Sequence, residues 1–216
     1  KNAFRITKVR NHTALRIRVP GGHLDAQYLA LIQRIADEYG NGTVHLTTRQ
    51  GFEIPGIPFE KMETVNREIR ELIRGVEVAN GVRIENLDAG YPAAGTRNIA
   101  ACIGNRVCPF ANYDTTALAV RIEKEIFPNH FHVKVAVTGC PNDCIKAHLQ
   151  DFGVIGQTEP LYEYDRCIGC EACVKNCAAR VTGALCMVKG KVKRDARRCI
   201  GCGECVLKCP TSAWTR

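Results

Sequence analysis

Cys102 and Cys108 are separated by five residues, and after a gap of 31 more come Cys140 and Cys144, within Thr138-Gly139-Cys140-Pro141-Asn142-Asp143-Cys144. Two short-spaced thiol pairs can close a tetrahedral set on one metal centre, because each pair fixes two ligands locally and folding brings the pairs together. These spacings depart from the common structural zinc patterns. The plain alternative is that the four are core thiols, since buried free cysteines behave as small hydrophobes.

Eight more thiols follow as an internal repeat. Cys167, Cys170, Cys173 and Cys177 have the Cys-x-x-Cys-x-x-Cys-x-x-x-Cys spacing, and Cys199, Cys202, Cys205 and Cys209 repeat it, with Pro210 after the last. This is the bacterial ferredoxin run, in which the fourth cysteine of each copy ligates the other cluster. One site is therefore expected from Cys167, Cys170, Cys173 and Cys209, and a second from Cys199, Cys202, Cys205 and Cys177. Zinc is the alternative, but it has no need of the repeat. Of the thirteen cysteines, Cys186 alone is left unassigned.

Composition narrows the class. A chain of 216 residues with 45% hydrophobic residues and no apolar run near the length of a membrane span reads as soluble and globular, with no membrane partner. Its first residues lack the layout of a secretory signal, so the expected compartment is cytoplasmic, where tight Cys-x-x-Cys repeats hold metal rather than disulfides. A formal charge of +8 would suit nucleic acid, but the count treats every cysteine as neutral. Anionic cofactor and substrate explain the charge better, and no nucleic-acid partner is expected. Lys189, Lys191, Lys193, Arg194, Arg197 and Arg198 form a basic run that reads as a solvated hairpin able to dock an acidic redox partner. No Gly-x-Gly-x-x-Gly fingerprint is present, so reducing equivalents must come from another protein.

The elements that must position these groups are α+β. Strands are expected over residues 14–19, 44–48 and 52–54, with amphipathic helices over 25–39, where Leu29, Ile32, Ile35, Ala36 and Tyr39 recur, and over 61–74, ended by Gly75. Between the central thiol pairs, Asp114 is positioned to cap a helix over 115–127, stopped by Pro128. A strand over 131–137 would follow, placing His130, His132 and Lys134 on one face. The expected units are residues 1–76, an α+β half-domain that resembles the ferredoxin-like half-domain opening sulfite and nitrite reductases, 77–158, a cluster-binding α+β domain that by the same resemblance is the sirohaem/[4Fe-4S] reductase domain, and 159–216, a bacterial two-cluster ferredoxin domain.

The thiol pairs, with Gly139-Cys140-Pro141-Asn142-Asp143-Cys144, resemble the signature of sirohaem-dependent nitrite and sulfite reductases, anaerobic branch, and the resemblance runs over nearly the whole chain. It implies that Cys102, Cys108, Cys140 and Cys144 hold a [4Fe-4S] cluster, three such clusters in all, with Cys144 bridging to the sirohaem iron. It also implies that Arg49, in Leu46-Thr47-Thr48-Arg49-Gln50, and Arg97, in Gly95-Thr96-Arg97-Asn98-Ile99, reach cofactor and bound anion. His130 and His132 stand where relatives outside the anaerobic branch usually carry lysines, and with Lys134 they become candidate proton donors. The implied activity is six-electron reduction of sulfite to sulfide, with electrons from iron-sulfur and flavin- or nicotinamide-using subunits. Nitrite reduction is the sister reading, and a ferredoxin-type carrier without catalysis the alternative from another class. Relatives continue beyond the ferredoxin unit, so the sequence reads as a C-terminally truncated catalytic subunit whose activity alone is doubtful.

Overall fold

The computed structural model describes residues 3–92 and 97–216, so Gly95 and Thr96 of the segment before Arg97 lie outside the described residues. The chain opens with β1 (Phe4–Ile6), β2 (His12–Ile17), α1 (Gln27–Glu38), β3 (His45–Leu46), β4 (Phe52–Pro58), α2 (Met62–Glu68) and α3 (Arg70–Val76). Its strands form an antiparallel sheet in the order β1-β2-β4-β3. Leu15 and Ile17 from β2, Ile54 and Ile57 from β4, Ile32 and Ile35 from α1, and Leu72 and Ile73 from α3 meet in one core. Each such buried aliphatic side chain contributes about 1.5–3 kcal/mol.

Several limits differ from expectation, for local reasons. β2 starts at His12 and not at residue 14, because it also pairs with β1, whose three residues are too few to show periodicity. The extended segment at 44–48 shrinks to His45–Leu46, whereas β4 runs on past residue 54 to Pro58. Pro55 is tolerated because β3 pairs only with Phe52 and Glu53, and β2 accommodates Pro55 through a register shift between Thr13 and Ala14. The helix expected over 61–74 is broken at Ile69, and Gly75 lies inside α3 rather than ending it. A Cβ at Gly75 would sit 1.8 Å from the Tyr28 hydroxyl oxygen, so glycine is there to let α3 approach α1. On α1, Ile32, Ile35 and Ala36 are buried as the spacing predicts, but Leu29 is 50% exposed.

The central unit is a parallel sheet, β5 (Ala100–Ala101), β6 (Val135–Thr138) and β7 (Phe152–Ile155), with α4 (Thr115–Ile126) crossing between β5 and β6. The Asp114 carboxylate accepts from the Ala117 N–H at 3.0 Å, the cap its position suggests. Ala119 and Ile122 of α4 pack on Ile99, Val135 and Val137. β6 begins at Val135, four residues later than expected, so His130, His132 and Lys134 do not share a strand face. The Lys134 N–H is satisfied by the Asp151 carboxylate at 2.8 Å instead of by a strand neighbour.

The last unit comprises β8 (Leu161–Tyr162), α5 (Ala172–Arg180), a hairpin of β9 (Leu185–Val188) and β10 (Lys191–Arg194), α6 (Glu204–Lys208), and β11 (Trp214–Thr215) paired with β8. The basic run does fall on a hairpin, but it is only partly solvated. Lys191 Nζ donates to the carbonyls of Tyr164 and Cys167 at 2.9 and 2.7 Å and lies over the Tyr164 ring. Arg216 donates to the carbonyls of Ala111 and Pro109, both at 3.1 Å, tying this unit to the loop after Cys108. Among the described residues no helix is long and apolar enough to cross a membrane.

Candidate functional site

The β5–α4–β6 crossover brings the two distant thiol pairs to one end of the central sheet. Cys102 follows β5 and Cys140 follows β6, two neighbouring parallel strands, so the pairs leave the sheet side by side. The Gly139 N–H donates to Cys102 Sγ at 3.2 Å, and the Cys102 N–H is held by the Val137 carbonyl at 3.0 Å. Gly139 cannot be larger, because a Cβ there would be 2.5 Å from Ala111 Cβ. Burial pushes the Cys140 thiol up, and the nearby thiols of Cys144, Cys108 and Cys102 push it the same way. The Cys140 sulfur thus lies within electrostatic reach of the other three, as ligands of one centre would. All thirteen cysteines are free, and among the described residues no three His, Cys, Asp or Glu groups form a site for a single metal ion. Cys140 is buried and Cys144 exposed, and the loop between them is held by Asp143. Its carboxylate accepts from the N–H groups of Ala147 at 2.7 Å and His148 at 3.1 Å, and from the His148 ring.

A cavity of about 630 Å³ opens between the half-domain and the central unit. Arg5, Arg16, Arg18, Arg49, Arg97 and Lys134 border it, with His45 and His132, against Glu53 as the one carboxylate. Of the five residues expected to contact anion or donate protons, Arg49, Arg97, His132 and Lys134 are therefore brought together. His130 and the four central cysteines do not border this cavity.

The segment from Thr47 to Gln50 turns back between β3 and β4 and touches both centres. Arg49 lines the cavity, but its guanidinium is largely engaged by protein acceptors: the Asn98 carbonyl at 3.0 and 2.8 Å, Gln150 Oε1 at 2.6 Å, and the Val135 carbonyl. Burial, together with the charges of Arg97 and Arg18, lowers its pKa from the usual arginine value, while Asp151 opposes them. Gln50 exchanges a pair of 2.8 Å hydrogen bonds with the backbone of Ala101, the residue before Cys102. Asn98, 8% exposed, was not suggested by sequence. It accepts from the Val19 N–H at 2.9 Å and donates to the carbonyls of Val19 at 2.8 Å and Arg49 at 2.6 Å, joining β2, the arginine turn and β5. No composition or periodicity signal marks such a hub.

Behind the cavity, Arg18 Nε meets Glu77 Oε1 at 3.2 Å and Glu123 Oε1 at 3.1 Å, and the guanidinium lies 4.0 Å over the Phe127 ring. Burial works against the Arg18 charge, but Glu123 and Glu77 outweigh it and hold its pKa above the ordinary value. Two carboxylates on one buried guanidinium leave a surplus negative charge. Burial and the Glu123 charge accordingly push Glu77 up to about 8, so near neutral pH it holds a proton.

In the last unit the thiols gather across the repeat. Cys177, Cys199, Cys202 and Cys205 all line one small cavity, with Leu185 and the buried Glu204. Burial raises Cys202, and the charges of Cys177 and Cys199 add to this. Burial raises Cys173 as well, and its thiol partner is Cys209, from the other copy of the repeat. The Tyr162 hydroxyl, followed by the Gly169 and Val192 N–H groups and Lys191, holds Cys167 below the usual thiol range. The Ala213 N–H donates to Cys209 Sγ at 3.1 Å, and Arg194 Nη1 lies 3.8 Å from Cys199 Sγ. Donors at Cys167, Cys199 and Cys209 and electrostatic pairing between the repeats suit sulfurs that share a metal cluster.

Residues 7–72 match the model of the nitrite/sulfite reductase ferredoxin-like half-domain, and residues 93–206 match that of the nitrite and sulphite reductase 4Fe-4S domain. The chain belongs to the nitrite and sulfite reductase 4Fe-4S family. It is 48% identical to a subunit of the anaerobic sulfite reductase of Salmonella typhimurium, over all of this chain and 64% of that protein. It is 29% identical to a chloroplastic ferredoxin–nitrite reductase of Zea mays over 65% of this chain and 23% of the relative. The chain thus spans just under two thirds of the Salmonella protein it matches. Among solved structures it superposes on dissimilatory sulfite reductase I with a TM-score of 0.67 at 20% identity, covering 94% of this chain and 51% of that one, a likeness of fold.

Proposed function

We propose that this chain acts as the catalytic subunit of an anaerobic sulfite reductase, which reduces sulfite to sulfide with six electrons. The observation that carries the reading is the turn at residues 47–50, which lines a cation-rich cavity through Arg49 and is bonded through Gln50 to the strand end that presents Cys102. The thiols of Cys102, Cys108, Cys140 and Cys144 would hold a [4Fe-4S] cluster, with Cys144, the exposed one, shared with sirohaem. The cationic rim fits the macrocycle's many carboxylates. When bound, sirohaem and its coupled cluster supply the electrons and an iron that takes the sulfur of the anion.

This chain's own residues supply charge and order. Arg97 and Lys134 present positive charge to the oxyanion and to the negative charge that builds up as it is reduced. Arg49 has most of its donors committed to backbone carbonyls, so its part is chiefly to fix the cavity wall while adding field. We assign proton donation to His132 and Lys134, which line the cavity wall, whereas His130 does not border it. Cys167, Cys170, Cys173 and Cys209 would hold one ferredoxin-type cluster, and Cys199, Cys202, Cys205 and Cys177 another, the two passing electrons inward from iron-sulfur and flavin- or nicotinamide-using partner subunits. We place the assembly in the cytoplasm, the compartment in which tight Cys-x-x-Cys runs hold metal rather than disulfides.

The name of the Salmonella relative favours sulfite over nitrite. Turnover of the complete assembly on each anion tests this: sulfide formation from sulfite at the higher kcat/KM is expected. Faster nitrite turnover with negligible sulfide would overturn the sulfite assignment.

A further inference from the structure

The two halves of the ferredoxin-type repeat close with the same local structure but different side chains. After Cys177 the chain turns at Gly183, with φ +64, buries Ala184 and enters β9 at Leu185. After Cys209 it turns at Ser212, with φ +51, buries Ala213 and enters β11 at Trp214. Trp214 is thus the counterpart of Leu185. Leu185 lines the cavity of Cys177, Cys199, Cys202 and Cys205, an apolar wall with no donor. Trp214 is 2% exposed and packs in the same core as Cys167, Cys173 and Cys209. Tyr162 stacks on its indole, with ring centroids 4.7 Å apart.

The indole Nε1–H is buried and makes no hydrogen bond of normal geometry to another residue. An orphaned buried donor costs on the order of 1–3 kcal/mol, so such groups are rarely left idle. The residue before it, Ala213, donates its N–H to Cys209 Sγ at 3.1 Å, so the indole sits beside a ligand of the first site.

We propose that the Trp214 Nε1–H donates to sulfur of the cluster held by Cys167, Cys170, Cys173 and Cys209, and so raises the reduction potential of that cluster relative to its twin. This rests on the ligand sets given above. A donor to sulfur stabilises the reduced, more negative cluster, which is why hydrogen bonds raise potential. The twin has Leu185 at the matching place. Its own side-chain donor, Arg194, is shared with Glu159 at 3.1 Å, and the buried Glu204 carboxylate borders the same cavity and acts in the opposite sense. The repeat is therefore built as an unequal pair, with the electron settling first beside Trp214.

Trp214→Phe keeps the ring and removes the N–H. In the chain with its clusters in place, anaerobic redox titration followed by electron paramagnetic resonance should show a lower midpoint for the cluster whose signal Cys170→Ser alters, with the second midpoint unmoved. An unchanged or raised first midpoint, or equal movement of both, overturns the proposal. Should the phenylalanine variant lose its fold, this 216-residue chain with its clusters in place and carrying indole-15N tryptophan decides, because Trp214 is its sole tryptophan. A 15N hyperfine coupling to the reduced first cluster supports the hydrogen bond; its absence with the cluster reduced refutes it. Iron and acid-labile sulfide analysis separates the two levels. A unit that takes up neither overturns the ligand sets together with this inference, whereas clusters present with no tryptophan effect overturn this inference alone.

Discussion

Glu77→Gln is the substitution for which the structure gives a quantitative expectation. Glu77 is fully buried, its Oε1 3.2 Å from the Arg18 Nε that Glu123 also engages, so one guanidinium faces two carboxyl groups. In the folded chain the Glu77 carboxyl keeps its proton up to about 8, against 4.5 for the free group. Below 4.5 both folded and unfolded chains are protonated and the contribution to stability is complete. As pH rises from 4.5 the unfolded chain releases the proton first, so stability falls, and the loss ends once the folded chain also ionises near 8. One proton held by the folded chain alone gives a slope of about 1.4 kcal/mol per pH unit. Glutamine copies the protonated acid and cannot ionise. The variant should match the parent at about pH 4 and gain on it above 4.5, approaching that slope, so that between pH 6 and pH 7 the gap widens by about 1.4 kcal/mol. Urea unfolding followed by circular dichroism, run in parallel on both proteins from pH 5 to 8.5, measures the difference directly. A pH-independent difference, or a variant already unfolded at pH 6, would refute the shared-proton description of this triad.

Arg97→Ala should weaken sulfite binding to the oxidised holoprotein by roughly tenfold or more, about the 1.5–3 kcal/mol of a charge-assisted contact, with the urea midpoint little changed; a large loss of stability would recast the residue as structural. His132→Ala should lower kcat and alter its pH profile, whereas His130→Ala should leave both within about twofold; equal effects would contradict the placement of His130 away from the cavity. Gly139→Ala forces a methyl group to within 2.5 Å of Ala111 Cβ. The variant should therefore lose the iron of the central site while keeping that of the ferredoxin unit, and full iron content would show that the loop can yield.

The thiol motifs were legible because their spacing is local. Both ferredoxin runs, Cys102 with Cys108, and Cys140 with Cys144 stand out whatever surrounds them. Helix α4 was legible for a similar reason, since Asp114 caps it and Pro128 closes it within one short stretch. What failed were readings that depend on partners distant in sequence. The alternation through residues 131–134 looks like a strand, but Asp151 takes the Lys134 N–H and β6 starts only where β5 and β7 can pair with it. Gly75 looks like a helix stop, yet it marks the approach of Tyr28 from another helix. Asn98 carries three hydrogen bonds that join two units, and nothing about an asparagine in sequence announces them.

The central claim is that Cys102, Cys108, Cys140 and Cys144 share one cluster and that Cys144 also touches the macrocycle iron. Mössbauer spectroscopy of the 57Fe-enriched holoprotein and its Cys144→Ser variant tests it most directly. The account predicts magnetic coupling between haem iron and cluster in the parent, lost in the variant while both ferredoxin-type clusters remain reducible. Coupling that survives the substitution, or a parent in which the haem iron and the cluster are magnetically independent, would contradict it.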